Sequence, residues 1–285
     1  MSGRLSALGY AAGWGLVRKL PEPVVTKGFT LAADFVVRRN GRGVQRLRSN
    51  LAVVCPLVSD PELDELVRQG MRSYLRYWRE AFRMPDWDPE RIVGSVRLVN
   101  EEILRDSYAE GHGVVSALAH LGNYDHAGAW AGLTGMPVTA VAERLEPESV
   151  FDRFVAYRNK LGMTIVPLTG GGEDVFGVLA DRLRAGHYVC LLADRDLSDR
   201  GVPVTFFGRK SRMPAGPALL SLRTKAPLVP VTAHYDGPAL VLTIHPVVST
   251  EGGAVAMTQR VADVFAEAIA AHPQDWHMLQ RIFLD

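Results

Sequence analysis

The tightest constraint on this chain lies between Gly113 and Trp130, which read G-V-V-S-A-L-A-H-L-G-N-Y-D-H-A-G-A-W. An apolar run ends in His120, Gly122 and Asn123 break it, and Asp125 opens a second apolar-periodic segment. That order predicts a strand, a tight turn and a helix capped by Asn123. The same alternation continues to the C-terminus. Strands are expected near 114–119, 138–142, 164–168, 188–193, 204–207, 228–234 and 240–245, and helices near 124–133, 147–161, 174–185, 215–225 and 254–271. The fold class is therefore α/β, with a mixed central β-sheet flanked by helices on both faces.

Ahead of this core the pattern is helical. Residues 2–50 read as two or three helices broken at Pro21, Pro23 and Gly41 to Gly43. A helix over 61–82 is expected behind Ser59 or Asp60 as cap; its Tyr74, Tyr77, Trp78 and Phe82 fall at helical spacing, as core or as the wall of a groove. A short strand is expected at 96–99 and a helix at 101–110. No repeat or linker divides the chain. The expectation is a single domain over 1–285, with 1–50 as an amphipathic helical extension and 113–285 as the α/β core.

Charge separates the extension from the rest. Residues 1–50 hold nine basic side chains against two acidic ones, a local +7, in a chain whose net charge is +1, so the remainder carries −6. Apolar stripes such as Leu5, Leu8, Ala12 and Leu16 lie beside these cations. That suits a helix lying in an anionic membrane interface, or one packed on the core with a solvated basic face. No run of eighteen apolar residues predicts a spanning helix, and no secretory leader is evident. Cys55 and Cys190, far apart and without metal-type spacing, suggest reduced thiols and a cytosolic compartment.

His120 and Asp125 are the first candidates for chemistry. On one continuous helix, residues five apart lie about 140° apart around the axis and do not meet. With His120 at the strand end and Asp125 in the first helical turn, the intervening turn can fold them together. A carboxylate-held imidazole can then take a proton from an alcohol; the other reading is a polar strand end followed by a first-turn acid. His126, next to Asp125 on the helix, should face away.

Asp194 and Arg195, in A-D-R-D-L, emerge at the C-terminal end of an apolar strand, the edge where α/β sheets bind ligands. Asp194 is a site residue or half of a structural Asp–Arg pair. Thr169, Gly170 and Gly171 precede a helix, as a phosphate-binding loop or a simple turn. Trp276 and His277 form a sugar platform or a buried anchor. Metal binding is not expected, because His120, Asp125 and His126 lack a third ligand at helical spacing. Neither a serine-hydrolase elbow nor a dinucleotide or nucleic-acid motif is present.

H-L-G-N-Y-D, the His-x-x-x-x-Asp at His120 to Asp125, resembles the signature of glycerolipid and lipid A acyltransferases. Further segments resemble one branch of them, the mycobacterial and actinobacterial phosphatidylinositol mannoside acyltransferases. These are L-G-Y-A-A-G-W near the start, R-Y-W-R-E-A-F-R, V-A-E-R-L-E-P-E-S, V-P-L-T-G-G, A-D-R-D-L, F-F-G, R-M-P-A-G-P-A and D-W-H-M-L-Q, in order over nearly the whole chain.

The resemblance implies a palmitoyl transfer from acyl-CoA, as co-substrate with no bound cofactor, to the 6-hydroxyl of the mannose on the inositol 2-position. Other acceptors of lipid A type, or water in a thioesterase, are the alternatives, and a catalytically silent lipid-binding protein is a third. It implies a peripheral position on the cytoplasmic face of the plasma membrane, against an anionic lipid surface and without nucleic acid. His120 is implied as general base and Asp125 as the carboxylate that orients it, and the backbone amides around Gly122 and Asn123 are candidate oxyanion donors.

Arg158 matches an arginine beside the carboxylates, to brace Asp125 or Asp194 or meet a phosphate, though a solvated helix face is also open. The basic segment 209–218, Arg212 included, is a headgroup site or a solvated loop. At Asp194 the branch carries a glutamate, so the carboxylate here is set back by about one methylene. A palmitoyl chain has roughly fourteen methylenes, worth on the order of 11 kcal/mol when fully buried, so the enzyme needs a long apolar groove.

Overall fold

The computed structural model describes residues 15, 17–142, 148–168, 174–196 and 200–284. Three helices come first, α1 (Glu22–Arg39), α2 (Arg42–Val54) and α3 (Asp60–Arg83). They pack together through Ala33, Val44, Leu47, Leu51, Leu63, Val67 and Met71. α3 starts where the sequence places it: the Glu62 carboxylate accepts the Ser59 backbone N–H at 2.7 Å, half of a capping box. A 3-10 turn (Met84–Asp86) and the short α4 (Pro89–Gly94) lead into β1 (Val96–Val99) and α5 (Glu101–Ala109).

The α/β succession follows as β2 (Val114–Leu118), α6 (Tyr124–Leu133), β3 (Val138–Ala142), α7 (Glu148–Lys160), β4 (Thr164–Pro167), α8 (Val175–Arg184) and β5 (Tyr188–Leu192). Then come β6 (Val202–Phe206), β7 (Arg209–Met213), α9 (Gly216–Thr224), β8 (Leu228–Asp236), β9 (Ala239–Ile244) and α10 (Gly253–Ala271), with a 3-10 turn (Pro273–Asp275) before the tail.

Seven strands form one sheet in the order β1-β9-β8-β2-β5-β3-β4. β8, β2, β5, β3 and β4 run parallel; β9 is antiparallel to β8 and carries β1 parallel beside it. The sheet is thus mixed and mostly parallel, with helices on both faces, as the strand–helix alternation predicts. β1 joins it from outside the expected 113–285 core, at the edge beside β9.

One expected strand, 204–207, is not in this sheet. It is β6, paired antiparallel with β7 in a separate hairpin that packs on α10. The basic stretch read as a loop is therefore the second strand of a hairpin, with Ser211 and Met213 turned inward.

β2 is central because both of its faces are apolar. Val115, Ala117 and Ala119 face α8, α9 and α10, while Val114 and Leu118 face the layer holding α4, α5 and α6. Glycines bound it for steric reasons. Gly113 and Gly122 have φ of +71° and +62°, and a Cβ on either would come within 2.4 Å of Leu183 O or 2.8 Å of Ala233 O.

The tail after α10 runs back across the top of the sheet. Gly122 N–H donates to Asp275 O at 2.9 Å, His277 N–H donates to His120 O at 2.8 Å, and Leu121 and Trp276 form a bridge. Asn50 in α2 pins the tail's far side, donating to both Met278 O and Gln280 O at 2.8 Å. Asn50→Ala leaves buried carbonyls without a donor and should cost about 1–3 kcal/mol, read as a lower urea midpoint at unchanged m-value.

Candidate active site

Strand register builds the site. β2 and β5 are parallel neighbours with Leu118 opposite Leu192, and Ala193 N–H extends the ladder to Leu118 O at 2.8 Å. His120 and Asp194 each lie two residues beyond these partners, so they leave the sheet side by side on one face. The Asp194 Oδ1 meets His120 Nδ1 at 2.6 Å, and Oδ2 accepts the His120 backbone N–H at 2.9 Å. The Trp276 indole N–H donates to Oδ2 at 3.0 Å.

Asp194 is fully buried. Burial alone would raise its carboxyl, yet the neighbouring His120 charge, the two hydrogen bonds from His120 and the one from Trp276 hold it below the usual carboxylate range. An ionised Asp194 fixes the proton of the neutral imidazole on Nδ1, leaving the Nε2 lone pair free to accept a proton.

The carboxylate against the imidazole is therefore that of Asp194, and the expected His120–Asp125 pairing is corrected. Asp125 sits in the first turn of α6, as predicted, but its oxygens are taken by other partners. Arg158 Nε donates to Oδ1 at 2.8 Å, Arg158 Nη2 reaches Oδ2 at 3.4 Å, and Tyr77 O–H donates to Oδ2 at 2.9 Å. The side chains of Asp125 and Arg158 are 4% and 17% exposed. Burial pulls the Arg158 guanidinium down, but the Asp125 charge more than offsets it and raises the group. Burial, reinforced by Asp125, raises the Tyr77 phenol. This cluster ties α3, α6 and α7 together.

Both clusters border one cavity of about 370 Å³, lined by His120, Asp125, Arg158, Arg195 and His277 at polar positions. Its remaining wall is mostly apolar, formed by Leu104, Leu118, Ala127, Gly128, Trp130, Val138, Ala140, Met163, Leu192, Leu242 and Ile244, with Tyr124, Tyr188, Cys190 and Gln280. The space runs between α6 and the sheet because α6 offers Ala127, Gly128 and Ala131 where larger side chains would meet the strands. A Cβ on Gly128 would come within 2.5 Å of Met163 Sδ. Tyr74, Tyr77 and Trp78 of α3 line the same cavity, so three of the four helix-spaced aromatics form its wall, while Phe82 packs on Phe29 and Trp78.

Four other expected positions are placed differently. Asn123 caps α6, its side chain accepting His126 N–H at 3.0 Å, but it is fully buried and donates to Glu80 at 2.8 Å, away from the cavity. The Gly122 amide proposed for an oxyanion is bound by Asp275 O. Trp276 is sealed in the core and braces Asp194 through its indole, so it offers no sugar platform. Arg212 lies in β7, donates to Gly201 O at 2.8 Å and does not line the cavity. Thr169, Gly170 and Gly171 lie outside the described residues. Ser73, which contacts the cavity residue His277, carries no motif that local spacing could have flagged, whereas Asp275, bonded to Ser73, lies in the D-W-H-M-L-Q segment that the sequence singles out.

A carboxylate-held imidazole at two parallel strand ends, beside a largely apolar cavity, can take a proton from a substrate held there. The chain belongs to the bacterial lipid A biosynthesis acyltransferase family, whose model matches residues 4–285. It is an acyltransferase. Among its relatives, the phosphatidylinositol mannoside acyltransferase of Mycolicibacterium smegmatis is 46% identical over 281 residues, 98% of this chain and 92% of the relative. The protein of the same name from Mycobacterium tuberculosis is 43% identical over 274 residues, 95% of this chain and 86% of the relative.

The Asp125–Arg158 pair gives a stability test. Arg158→Leu strands a buried carboxylate and should cost about 3–5 kcal/mol in denaturant unfolding. Arg158→Leu with Asp125→Asn should recover most of that loss, because no uncompensated charge is left.

Proposed function

We propose that this acyltransferase moves a palmitoyl group from acyl-CoA to a mannose hydroxyl of a phosphatidylinositol mannoside, the 6-hydroxyl of the mannose on the inositol 2-position. The observation that carries the reading is the His120–Asp194 pair at the head of an apolar cavity. The acyl chain lies in that cavity with its thioester carbonyl beside His120. Nε2 of His120 takes the proton of the hydroxyl as its oxygen attacks the carbonyl, and Asp194 stabilises the imidazolium that forms. The tetrahedral intermediate then collapses, the C–S bond breaks, and the thiolate of coenzyme A leaves and is reprotonated. No acyl-enzyme is formed. Arg195, beside the dyad, supplies positive charge for the oxyanion or for a phosphate of the donor. Asp125 acts through Arg158 and Tyr77 by holding the α6 wall in place.

The same proposal puts the protein against the cytoplasmic face of a membrane. α1 exposes Val24, Leu31 and Phe35 along one stripe, at 55%, 56% and 52%, and Leu57 stands fully out before α3. Lys27, Arg38 and Arg39 are exposed on the same helix, where cations can meet lipid phosphates. No helix among the described residues is long and apolar enough to cross a bilayer.

Incubation with palmitoyl-CoA, with and without the mannolipid, tests the reaction. Acceptor-dependent release of coenzyme A together with an acylated lipid by mass spectrometry is expected; release that ignores the acceptor would mean a thioesterase. His120→Ala and Asp194→Asn should lower kcat by about 10²–10⁴ while donor binding persists. Gly128→Leu places a side chain inside the cavity and should move preference towards shorter acyl donors, read as the ratio of kcat/KM for octanoyl-CoA to palmitoyl-CoA.

A further inference from the structure

His277 holds a hydrogen-bonding capacity that the dyad does not use. Strand-like alternation in the tail turns Trp276 into the core and turns Asp275 and His277 towards α3. There Ser73 Oγ lies 2.6 Å from Asp275 Oδ1 and 2.9 Å from His277 Nε2. Asp275 Oδ2 also accepts the Tyr235 backbone N–H at 2.8 Å, as a carboxylate does. Ser73 has one proton and gives it to Asp275, so the Ser73 oxygen accepts from His277, and Nε2 carries the ring's hydrogen.

Nδ1 is therefore the bare nitrogen, an acceptor, and it is buried with no partner among the described residues. The bond directions of the two ring nitrogens diverge, so a ring anchored to α3 through Nε2 turns Nδ1 away from α3. The residue lines the cavity, and its backbone N–H is bonded to His120 O. Around the ring stand the Tyr74 and Tyr77 rings at 5.6 and 6.0 Å, with His120 and Asp194 near enough to bear on its charge. A buried acceptor without a donor costs free energy until something supplies one.

We infer that His277 is a fixed, neutral hydrogen-bond acceptor for the acyl acceptor: Nδ1 receives a hydrogen bond from a hydroxyl neighbouring the one acylated, and Ser73 and Asp275 are positioning residues that set the tautomer. The inference rests on the reading of this site as acylating a hydroxyl. A polyol supplies the O–H donors and the apolar ring faces that a bare nitrogen among tyrosine rings complements. Burial, with the His120 charge adding to it and Asp194 opposing, pushes the His277 imidazole down to about 3, which keeps the lone pair available throughout the neutral range.

The test is steady-state kinetics of the full chain with palmitoyl-CoA and phosphatidylinositol mannoside in detergent micelles, varying each in turn. His277→Leu should raise the acceptor KM about tenfold or more and leave the donor KM within about twofold, on the scale of one buried hydrogen bond. His277→Asn, whose amide oxygen can stand in for Nδ1, should restore most of the acceptor affinity. In Ser73→Ala the Nε2 hydrogen loses its acceptor, so the neutral ring can carry its hydrogen on Nδ1 instead and Nδ1 no longer accepts. Its acceptor KM should rise several-fold with the donor KM within about twofold; Ser73→Thr should behave like the wild type. A purely structural role would lower the melting temperature and kcat without this split between the two KM values or the rescue by threonine.

An unchanged acceptor KM in folded His277→Leu, or a change in donor KM alone, overturns the inference. If the leucine variant fails to fold, an unchanged acceptor KM in folded Ser73→Ala overturns it. A wild-type protein that only hydrolyses the donor overturns the acyl-transfer reading itself, and this inference with it. Intact wild-type transfer with any of the earlier negative results overturns this inference alone.

Discussion

The site depends on one buried carboxylate. Asp194 is removed from water, and a charge there is tolerable only with its oxygens satisfied. Here they meet the His120 imidazole, the His120 backbone amide and the Trp276 indole. Each partner does more than neutralise. The imidazole bond sets which nitrogen is basic, the amide bond ties the turn after β2 to the end of β5, and the indole bond brings the C-terminal tail beneath both. The tail then bonds back to the same turn at Gly122 and His120. Reactive geometry and closure of the fold share these contacts.

A second buried charge has a different task. Asp125 is held by a bidentate arginine and a tyrosine from two helices that flank α6. An arginine fork suits this because its planar donors match a carboxylate and its own charge compensates burial. The outcome is a rigid α6, whose small residues leave the apolar cavity open beside the dyad. One carboxylate orients the His120 imidazole, and the other holds the helix that walls the cavity beside it.

Much of this was readable from local pattern. The strand–turn–helix around His120, the Asn123 cap, the Ser59–Glu62 start of α3 and nearly every later strand and helix follow from apolar periodicity and punctuation, because short-range hydrogen bonding and side-chain alternation decide them. The aromatic stripe Tyr74, Tyr77 and Trp78 could be placed on one face, though not yet against a cavity. The 204–213 segment was harder: an edge hairpin and a strand of the main sheet have the same local signature, and only packing on α10 separates them.

What the sequence determined by itself is that His120 and Asp194 each stand at the end of an apolar strand of an α/β sheet, where polar side chains leave the strand. Which carboxylate the imidazole meets was decided by tertiary structure alone. Five residues of separation brought Asp125 near in the chain, but parallel pairing of β2 with β5 brought Asp194 from 74 residues away into register with His120. Strand order is a property of the whole sheet's packing, and a hydrogen bond follows distance in space, whatever the distance along the chain.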